Sequence, residues 1–398
     1  MSILQAVILA GGLGTRLQPF TLEKPKPMFE VEGIPFLEHI LNQVKSWGIY
    51  RVVVLLGYKA EVVQDYFGNG AYLGMEITYS VTPIEYDTGA RIMAAKDKIE
   101  DEFILLYCDN YCPINYKKAL LQFEEQNSLI QITAYANRDD YTRNNLSVEE
   151  GKVKFYDKSR KSPGLTAVDI GYIFIKKEVL ERLPEGNANF ETSVYPSVIE
   201  EKRMSVYVTE HRYYSIGSWE RIELTKKFFR KKKVVFLDRD GTLNVRPPKA
   251  CYIEKEEDFV WLEDAREAIK LLKDHNYMIF LVTNQPGIAR GNLALEQLDK
   301  IHEKMCSDLK DINTGIDGIY VCPHGWDEDC FCRKPRPGML YQAQKEYSLN
   351  LTECILIGDD ERDIEAGYAA DLKECILVSE KYSLWEAVCD LLRQEGEL

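Results

Sequence analysis

The chain has 398 residues, and since domains usually contain roughly 100 to 200 residues, two or three domains are expected. Hydrophobic residues make up 45% of the sequence and charged residues 29%, which is typical of globular proteins and excludes wholesale disorder. The net charge of -14 argues against nucleic acid or an anionic membrane as a partner. No uncharged apolar run reaches the roughly 18 residues of a membrane span and no basic signal-peptide start is present, so we expect a cytoplasmic protein with reduced thiols.

From the N-terminus onward, apolar runs alternate with helical patterns. Strands are predicted at residues 4–9, 52–56 and 103–107, and a helix at residues 36–47. This alternation predicts an α/β fold with a parallel sheet. Between residues 130 and 175 the pattern changes to strands joined by polar turns, which predicts an antiparallel extension before a helix near residues 190–200.

A second α/β unit is predicted from residue 234 to the end. Its predicted strands alternate with helices and lie at residues 234–237, 278–283, 319–322 and 354–357. The basic stretch KKFFRKKK at residues 226–233 precedes it; we interpret this stretch as the cationic end of a helix and a short linker rather than a nucleic-acid patch. The predicted domains are therefore residues 1–225 and 234–398, joined by 226–233.

A phosphate site is predicted directly after the first strand. Residues 10–27 read AGGLGTRLQPFTLEKPKP, so the glycines follow the carboxyl end of a parallel strand, where phosphates commonly bind. Gly11, Gly12 and Gly14 let backbone N–H groups approach a triphosphate. Arg16 and Lys26 can neutralise its charge. The spacing is neither that of a Walker A loop nor that of the Rossmann dinucleotide motif.

The string G-G-x-G-T-R-L followed by P-K-P resembles the signature of sugar-1-phosphate nucleotidyltransferases, and the resemblance extends over residues 1 to about 225. It implies a Rossmann-like domain with a mixed sheet, an NTP and a sugar phosphate as substrates, and a Mg²⁺ ion. The roles it implies are nucleotide binding by Gly11, Gly12, Gly14, Thr15, Thr88 and Gly89, catalysis by Arg16 and Lys26, magnesium binding by Asp109, and sugar-phosphate binding by Asp157, Lys158 and Asp169.

Three segments depart from that family pattern. The usual Pro-Leu-Gly-Thr-Ala-Gly loop is PIEYDTG at residues 83–89, and only its Thr88 and Gly89 keep the pattern. Asp169 stands where an asparagine is common. Ser215 replaces an aspartate that often completes the metal site, and serine is a poor Mg²⁺ ligand.

The segment VVFLDRDGTLN at residues 234–244 delivers Asp238 and Asp240 at the end of a buried strand. It resembles the first motif of haloacid-dehalogenase-type phosphatases, and the other motifs follow in order. The resemblance implies a Rossmannoid fold in which Asp238 is the nucleophile and Asp240 the acid and base. Thr283 would bind the phosphoryl group and Lys334 would neutralise it. The implied Mg²⁺ ligands are Asp238, Asp240 and Asp359, and Asp363 is a supporting residue.

Three of the ten cysteines crowd together just before Lys334. Cys322, His324, Cys330 and Cys332 supply three thiols and one imidazole, which is a tetrahedral Zn²⁺ ligand set. With every position filled by protein, we expect a structural ion that pins the loop carrying Lys334.

The segments TNQPGIARG at residues 283–291 and CRKPRPGML at residues 332–340 resemble those of D,D-heptose 1,7-bisphosphate phosphatases. Histidinol-phosphate phosphatases share the zinc loop and are the nearest alternative. Arg290 and Arg333 are candidate ligands of a distal phosphate, because guanidinium groups match phosphate geometry.

The two halves together predict a bifunctional enzyme of nucleotide-sugar synthesis. The segments PKPM, PFLE and GYK resemble those of guanylyltransferases that make GDP-heptose, so we expect removal of the 7-phosphate from a heptose bisphosphate and then transfer from GTP. One alternative is another sugar or polyol phosphate activated with CTP or UTP. A second is an N-terminal module that senses a nucleotide sugar and regulates the phosphatase. The sequence is compatible with a homo-oligomer and does not decide the oligomeric state.

Overall fold

The computed structural model describes residues 3–248 and 251–398. The chain divides into two compact units, residues 1–230 and residues 231–398. In the described residues, no helix is both long enough and apolar enough to cross a membrane.

The first unit is built on a nine-stranded mixed sheet with the strand order β5-β4-β1-β6-β11-β8-β12-β10-β9. The strands β5, β4, β1 and β6 run parallel, whereas β11 is antiparallel to both β6 and β8. This agrees with the antiparallel extension that the sequence predicts between residues 130 and 175. Its strands are β1 Gln5–Ala10, β4 Arg51–Leu56, β5 Glu76–Val81, β6 Glu102–Tyr107, β8 Ile130–Tyr135, β9 Leu146–Glu149, β10 Lys152–Tyr156, β11 Val168–Lys176 and β12 Met204–Thr209. Two small pairs are β2 Glu30–Val31 with β3 Ile34–Pro35, and β7 Asn110–Tyr111 with β13 Tyr214–Ser215.

Helices cover both faces of this sheet, which is why β1 is buried along its whole length. Side chains alternate between the two cores: Ile8 belongs to one core, and Leu9 belongs to the other. The helices are α1 Phe20–Glu23, α2 Phe36–Ser46, α3 Ala60–Phe67, α4 Thr88–Ala94, α5 Tyr116–Glu125, α6 Phe190–Glu200 and α7 Trp219–Phe229.

The second unit has a five-stranded parallel sheet with the order β16-β15-β14-β17-β18. The central strand β14 again alternates between two cores, with Leu237 in one and Phe236 in the other. Its strands are β14 Lys233–Leu237, β15 Tyr277–Asn284, β16 Gly318–Cys322, β17 Ile355–Gly358 and β18 Glu374–Leu377. Its helices are α8 Ala265–Asp274, α9 Leu295–Lys310, α10 Gly338–Tyr347, α11 Glu361–Ala369 and α12 Leu384–Gln394.

The α/β class and the mixed sheet predicted from the sequence are confirmed. In the basic stretch, α7 ends at Phe229 with Lys226 and Lys227 in its last turn, and β14 begins at Lys233. The cations therefore lie at the negative end of the helix dipole.

Candidate active sites

The glycine loop forms one wall of a cleft of about 390 Å³, here called the glycine-loop cleft. The loop leaves β1 at its carboxyl end, and Gly14 adopts a φ of 64°, a conformation that favours glycine. A Cβ on Gly14 would also lie 3.0 Å from side-chain carbons of Thr21 and Lys26, so the turn leaves no room for a side chain. The predicted residues that line the cleft are Gly11, Gly12, Gly14, Thr15, Arg16, Lys26, Thr88 and Asp109.

Lys26 and Asp109 form the charged floor of this cleft. The buried Lys26 ammonium lies 2.5 Å from an oxygen of the Asp109 carboxylate, which follows β6 directly. Because β1 and β6 are parallel neighbours, their carboxyl ends bring the glycine loop and Asp109 together. Two groups of three or more potential metal ligands occur in residues 3–248 and 251–398, and neither includes Asp109.

The sequence predicts that Thr88 and Gly89 bind the nucleotide. In the structure Thr88 lines the cleft, whereas Gly89 packs against residues before α6. Asp87 caps α4 by accepting a hydrogen bond from the Thr88 backbone N–H. The Thr88 hydroxyl donates to Glu191 at 3.3 Å and accepts from the Phe190 backbone N–H at 2.9 Å. Gly89 does not line the cleft, and a Cβ there would lie 2.8 Å from the carbonyl oxygen of Ala188. Gly89 therefore serves the packing of α4.

A second cavity adjoins the cleft at Asp109 and is here called the Asp169 cavity. Lys158 and Asp169 line it, and Lys158 forms an ion pair with the buried Glu191 at 3.2 Å. The Tyr107 hydroxyl also donates to Glu191. Burial raises the pKa of Asp169 to about 6, although its carboxylate accepts a hydrogen bond from the Gly171 backbone N–H at 2.8 Å.

The structure corrects the expectation for Asp157, whose carboxylate does not line the Asp169 cavity. It accepts hydrogen bonds from the backbone N–H groups of Ser159, Lys161 and Ser162 and therefore holds a surface turn. Glu191 is the carboxylate beside Lys158 instead. The sequence signal was weak, because Glu191 lies in the first turn of α6, 33 residues after Lys158.

Ser215 lies on β13, paired with Asn110 of β7, so it does lie beside Asp109 as the family pattern requires. Its side chain brings no charge to this position. The next polar residue, Ser218, caps α7 by accepting a hydrogen bond from the Arg221 backbone N–H. Asp109 is therefore the one acidic residue that lines both the cleft and the Asp169 cavity.

In the second unit, three carboxylates converge at the carboxyl ends of β14 and β17. Oxygen atoms of Asp238, Asp359 and Asp363 all lie within 4.8 Å of one another. The buried Lys334 ammonium lies 2.7 Å from Asp238 and 2.5 Å from Asp363. Burial raises the pKa of Asp238, Lys334 opposes that rise, and Asp363 adds to it.

Asp240 stands apart from these three carboxylates, contrary to the expectation that its side chain is a metal ligand. The fully buried Arg239 holds it through two guanidinium nitrogens, and Gln285 and Asn244 donate to it at 2.9 and 3.0 Å. Burial acts to raise the pKa of Asp240, but the charge of Arg239 and the hydrogen bonds from Arg239, Gln285 and Asn244 together outweigh burial, so the pKa is lowered. Asp363 completes the carboxylate group instead.

The predicted phosphoryl ligand Thr283 and two neighbouring residues, Asn284 and Gly241, have identifiable contacts around this site. Thr283 is buried near the end of β15 and accepts a hydrogen bond from Gln285 at 2.9 Å. Asn284 exchanges two hydrogen bonds of 3.1 Å with the backbone of Lys334 and so fixes that loop. Gly241 has a φ of 97°, and a Cβ there would lie 1.8 Å from an oxygen of Asp359.

The second group of potential metal ligands is the predicted thiol cluster. The His324 Nδ1 atom lies 3.2 Å from the Cys332 sulfur, and the Cys322 sulfur lies 3.7 Å from that of Cys330. A tetrahedral ion with bonds of about 2.3 Å to sulfur requires sulfur atoms about 3.8 Å apart. The Cys322 and Cys332 sulfur atoms lie somewhat closer, at 3.4 Å, and the ligand atoms of all four side chains lie within 4.8 Å of one another, so the cluster could hold one tetrahedral metal ion.

Arg290 and Arg333 do not line the cavity around Asp238. Arg290 donates to the Tyr252 hydroxyl, and Arg333 donates to the His324 backbone carbonyl at 3.2 Å. Arg246 and Arg362 line the cavity in their place. The sequence reasoning missed both, since no motif spacing marks them.

A family model of nucleotidyl transferases matches residues 5–232. The chain belongs to the nucleotidyl transferase family. The transferase unit is similar to the crystal structure of HddC from Yersinia pseudotuberculosis, with 26% identity and a TM-score of 0.50, covering 57% of this chain and 100% of that chain. HddC complexed with GMP-PN gives the same values.

A second model, described as polynucleotide kinase 3 phosphatase, matches residues 233–376. This part is 41% identical over 152 residues to the D-glycero-beta-D-manno-heptose-1,7-bisphosphate 7-phosphatase of Haemophilus influenzae, covering 37% of this chain and 81% of that protein. It is also 41% identical over 155 residues to a D-glycero-alpha-D-manno-heptose-1,7-bisphosphate 7-phosphatase of Photorhabdus laumondii, covering 37% and 83%. The phosphatase unit therefore belongs to the heptose bisphosphate phosphatase family.

The charge on Asp169 predicts a pH-dependent stability. Its pKa is about 6 in the fold and about 3.9 in an unfolded chain, so ionisation costs about 3 kcal/mol at pH 8, and this cost is lost as the pH falls from about 6 to well below 4. Asp169→Asn, which keeps the acceptor for Gly171, should raise the free energy of unfolding of the transferase unit at pH 8 by about 2 to 3 kcal/mol. The gain should shrink as the pH falls from 6 to 4, measured by urea denaturation.

Asp157→Asn is the matched control with the opposite sign. Hydrogen bonds from Ser159, Ser162 and Lys161 lower the pKa of Asp157, so its stabilisation is present at neutral pH and is lost on acidification. A stability gain for Asp169→Asn that is equal at pH 8 and pH 4 would contradict the assignment.

Proposed function

We propose that this chain is a bifunctional enzyme that removes the 7-phosphate of D-glycero-D-manno-heptose 1,7-bisphosphate and then transfers a guanylyl group from GTP to the resulting heptose 1-phosphate. The observation that carries the proposal is the presence of both families in one chain. The product of such a phosphatase is a sugar 1-phosphate. Sugar 1-phosphates are the substrates of the nucleotidyltransferases that the transferase unit resembles. Equal identity to relatives acting on the beta and alpha anomers leaves the anomer to experiment.

In the phosphatase reaction, an oxygen of Asp238 attacks the phosphorus and the C7 alcohol leaves with a proton from Asp240. Water then cleaves the aspartyl phosphate, and Asp240 takes the proton of that water. Arg239 keeps Asp240 ionised in the free enzyme. The approach of a phosphate dianion raises the pKa of Asp240, which takes up a proton from solvent and then gives it to the leaving alcohol.

The carboxylates of Asp238, Asp359 and Asp363 fit a Mg²⁺ ion, which prefers oxygen ligands. The Asp359 Oδ1 atom is buried without a hydrogen-bond partner, as expected for an oxygen that binds a cation. When bound, Mg²⁺ supplies positive charge that offsets the repulsion between the phosphate and Asp238. Lys334 supplies the same charge from the protein.

In the transferase reaction, a phosphate oxygen of the sugar 1-phosphate attacks the α-phosphorus and pyrophosphate leaves. The chain has to position two anions, which Gly12, Arg16 and Lys26 do for the triphosphate. Lys158 holds the sugar phosphate, and Asp169 and Glu191 accept hydrogen bonds from sugar hydroxyls. Asp109, together with nucleotide phosphates and water, suffices for Mg²⁺, since this ion keeps several waters. The GMP-PN complex of HddC supports the choice of a guanine nucleotide.

Asp238→Asn should abolish phosphate release from heptose 1,7-bisphosphate, with a loss of at least about a thousandfold, because the amide cannot form the phosphoenzyme. Pyrophosphate release from GTP and heptose 1-phosphate should be unchanged in the same variant. Asp274→Asn, on the surface of α8, is the matched control and should leave both activities intact. If the wild type releases no pyrophosphate from GTP with either anomer, the transferase half of the proposal is wrong.

We assign Zn²⁺ to the thiol cluster, because three sulfurs and one imidazole suit this ion and leave no open position for water. The purified chain should contain one zinc per chain by mass spectrometry of its metal content. Cys330→Ser should lower both the zinc content and the phosphatase rate, because Lys334 follows the last residue of the cluster, Cys332, by two residues. Pyrophosphate release should stay at the wild-type rate. Wild-type protein that is fully active and free of zinc would contradict the assignment.

A further inference from the structure

A buried guanidinium at the edge of the glycine-loop cleft connects parts of the chain that are distant in sequence. Arg91 of α4 is buried, and one of its terminal nitrogens donates to the Leu56 carbonyl at 3.0 Å and to the Thr82 hydroxyl at 2.6 Å. The other donates to the Ile84 carbonyl at 3.0 Å. These acceptors lie at the end of β4 and in the segment of residues 82–87, here called the base loop.

The glycine loop is shaped around the same guanidinium. A Cβ on Gly11 would lie 2.5 Å from a terminal nitrogen of Arg91, and a Cβ on Gly57 would lie 2.5 Å from the same nitrogen. Around Gly12, by contrast, no atom lies within 4 Å of such a Cβ. Gly11 is thus a glycine because Arg91 packs against it, whereas Gly12 leaves space for a ligand.

Retaining this charge in the interior has a cost. The three acceptors are neutral oxygens, and burial lowers the pKa of Arg91, so the fold is less favourable for its charged form than water is. A neutral side chain would avoid that cost but would lose all three hydrogen bonds. The guanidinium alone donates to all three acceptors while its atoms lie close to two glycines.

We propose that Arg91 is a positioning residue that holds the base loop at a set distance from the glycine loop, so that the base and the triphosphate of one nucleotide are bound together. The inference rests on the proposed nucleotidyl transfer, because it assigns the cleft to an NTP. The base loop overlaps residues 83–89, one of the three segments that depart from the family pattern. Its carbonyl at Ile84 is tied to Arg91, and Ile84, Tyr86 and Asp87 line the cleft.

The test is a double-mutant cycle on GTP binding to the full-length chain, measured by calorimetry. Arg91→Met should weaken GTP binding by at least about tenfold, since the base loop is no longer held. It should change the affinity for inorganic tripolyphosphate by less than about twofold, because that ligand has no base. Gly11→Ala should also weaken GTP binding, because the new methyl group displaces the guanidinium. The double variant should bind GTP no more weakly than whichever single variant has the lower affinity for GTP.

Gly12→Ala is the matched control for the cycle. Its methyl group enters the ligand space without touching Arg91, so its effect should multiply with that of Arg91→Met. Phosphate release by the second unit of the same chain reports on the integrity of each sample, and Arg91→Lys replaces Arg91→Met if the latter fails to fold.

Multiplicative effects of Arg91→Met and Gly11→Ala would overturn the proposal, as would an equal loss of GTP and tripolyphosphate binding in Arg91→Met. A wild-type chain that binds GTP but transfers nothing to a heptose 1-phosphate leaves the role of Arg91 in place and refutes the proposed function alone. A wild-type chain that binds no nucleotide refutes both.

Discussion

In each unit, one buried lysine forms an ion pair with a carboxylate at the carboxyl ends of parallel strands, and in the phosphatase unit it also offsets the repulsion between neighbouring carboxylates. Two like charges 4 Å apart repel by about 4 kcal/mol at an effective dielectric constant of about 20, so such a group of acids is unstable by itself. Lys334 lies between Asp238 and Asp363, and Lys26 lies on Asp109. Each lysine arrives on a loop rather than on the strands, so the structure around these loops serves to hold an ammonium in place.

Much of the surrounding structure follows from that requirement. In the phosphatase unit, the thiol cluster precedes Lys334 by a few residues, and Asn284 grips the Lys334 backbone from the neighbouring strand. In the transferase unit, Lys26 lies in a short helical turn flanked by prolines and packs against Gly14. These contacts hold each ammonium in place before a phosphate arrives, which lowers the cost of reorganisation.

Strand ends and motif order could be predicted from the sequence, because buried parallel strands are continuous apolar runs followed by polar residues. The edge strands β5 (EITYSV) and β18 (ECIL) were missed, since the first is interrupted by polar residues and the second has only four residues, so neither is a long continuous apolar run. Asp238, Lys334 and the thiol cluster lie where the motifs predicted, because a strand or a metal geometry constrains their direction.

Side chains on loops and helices were harder to predict. The sequence reasoning assigned Asp157 and Asp240 to substrate and metal, whereas local partners take up their carboxylates. Glu191 provides the carboxylate beside Lys158, and Asp363 provides the third carboxylate beside Asp238 and Asp359. Motif spacing predicts the path of the backbone, but it does not predict which neighbouring group a carboxylate binds.

The most direct test of the coupled reactions follows phosphorus signals by nuclear magnetic resonance in one sample containing heptose 1,7-bisphosphate, GTP, Mg²⁺ and the intact chain, with CTP and UTP in parallel samples. The account predicts that inorganic phosphate appears first, followed by pyrophosphate and a sugar diphosphate signal in the GTP sample. Inorganic phosphate without any pyrophosphate in all three samples would contradict it.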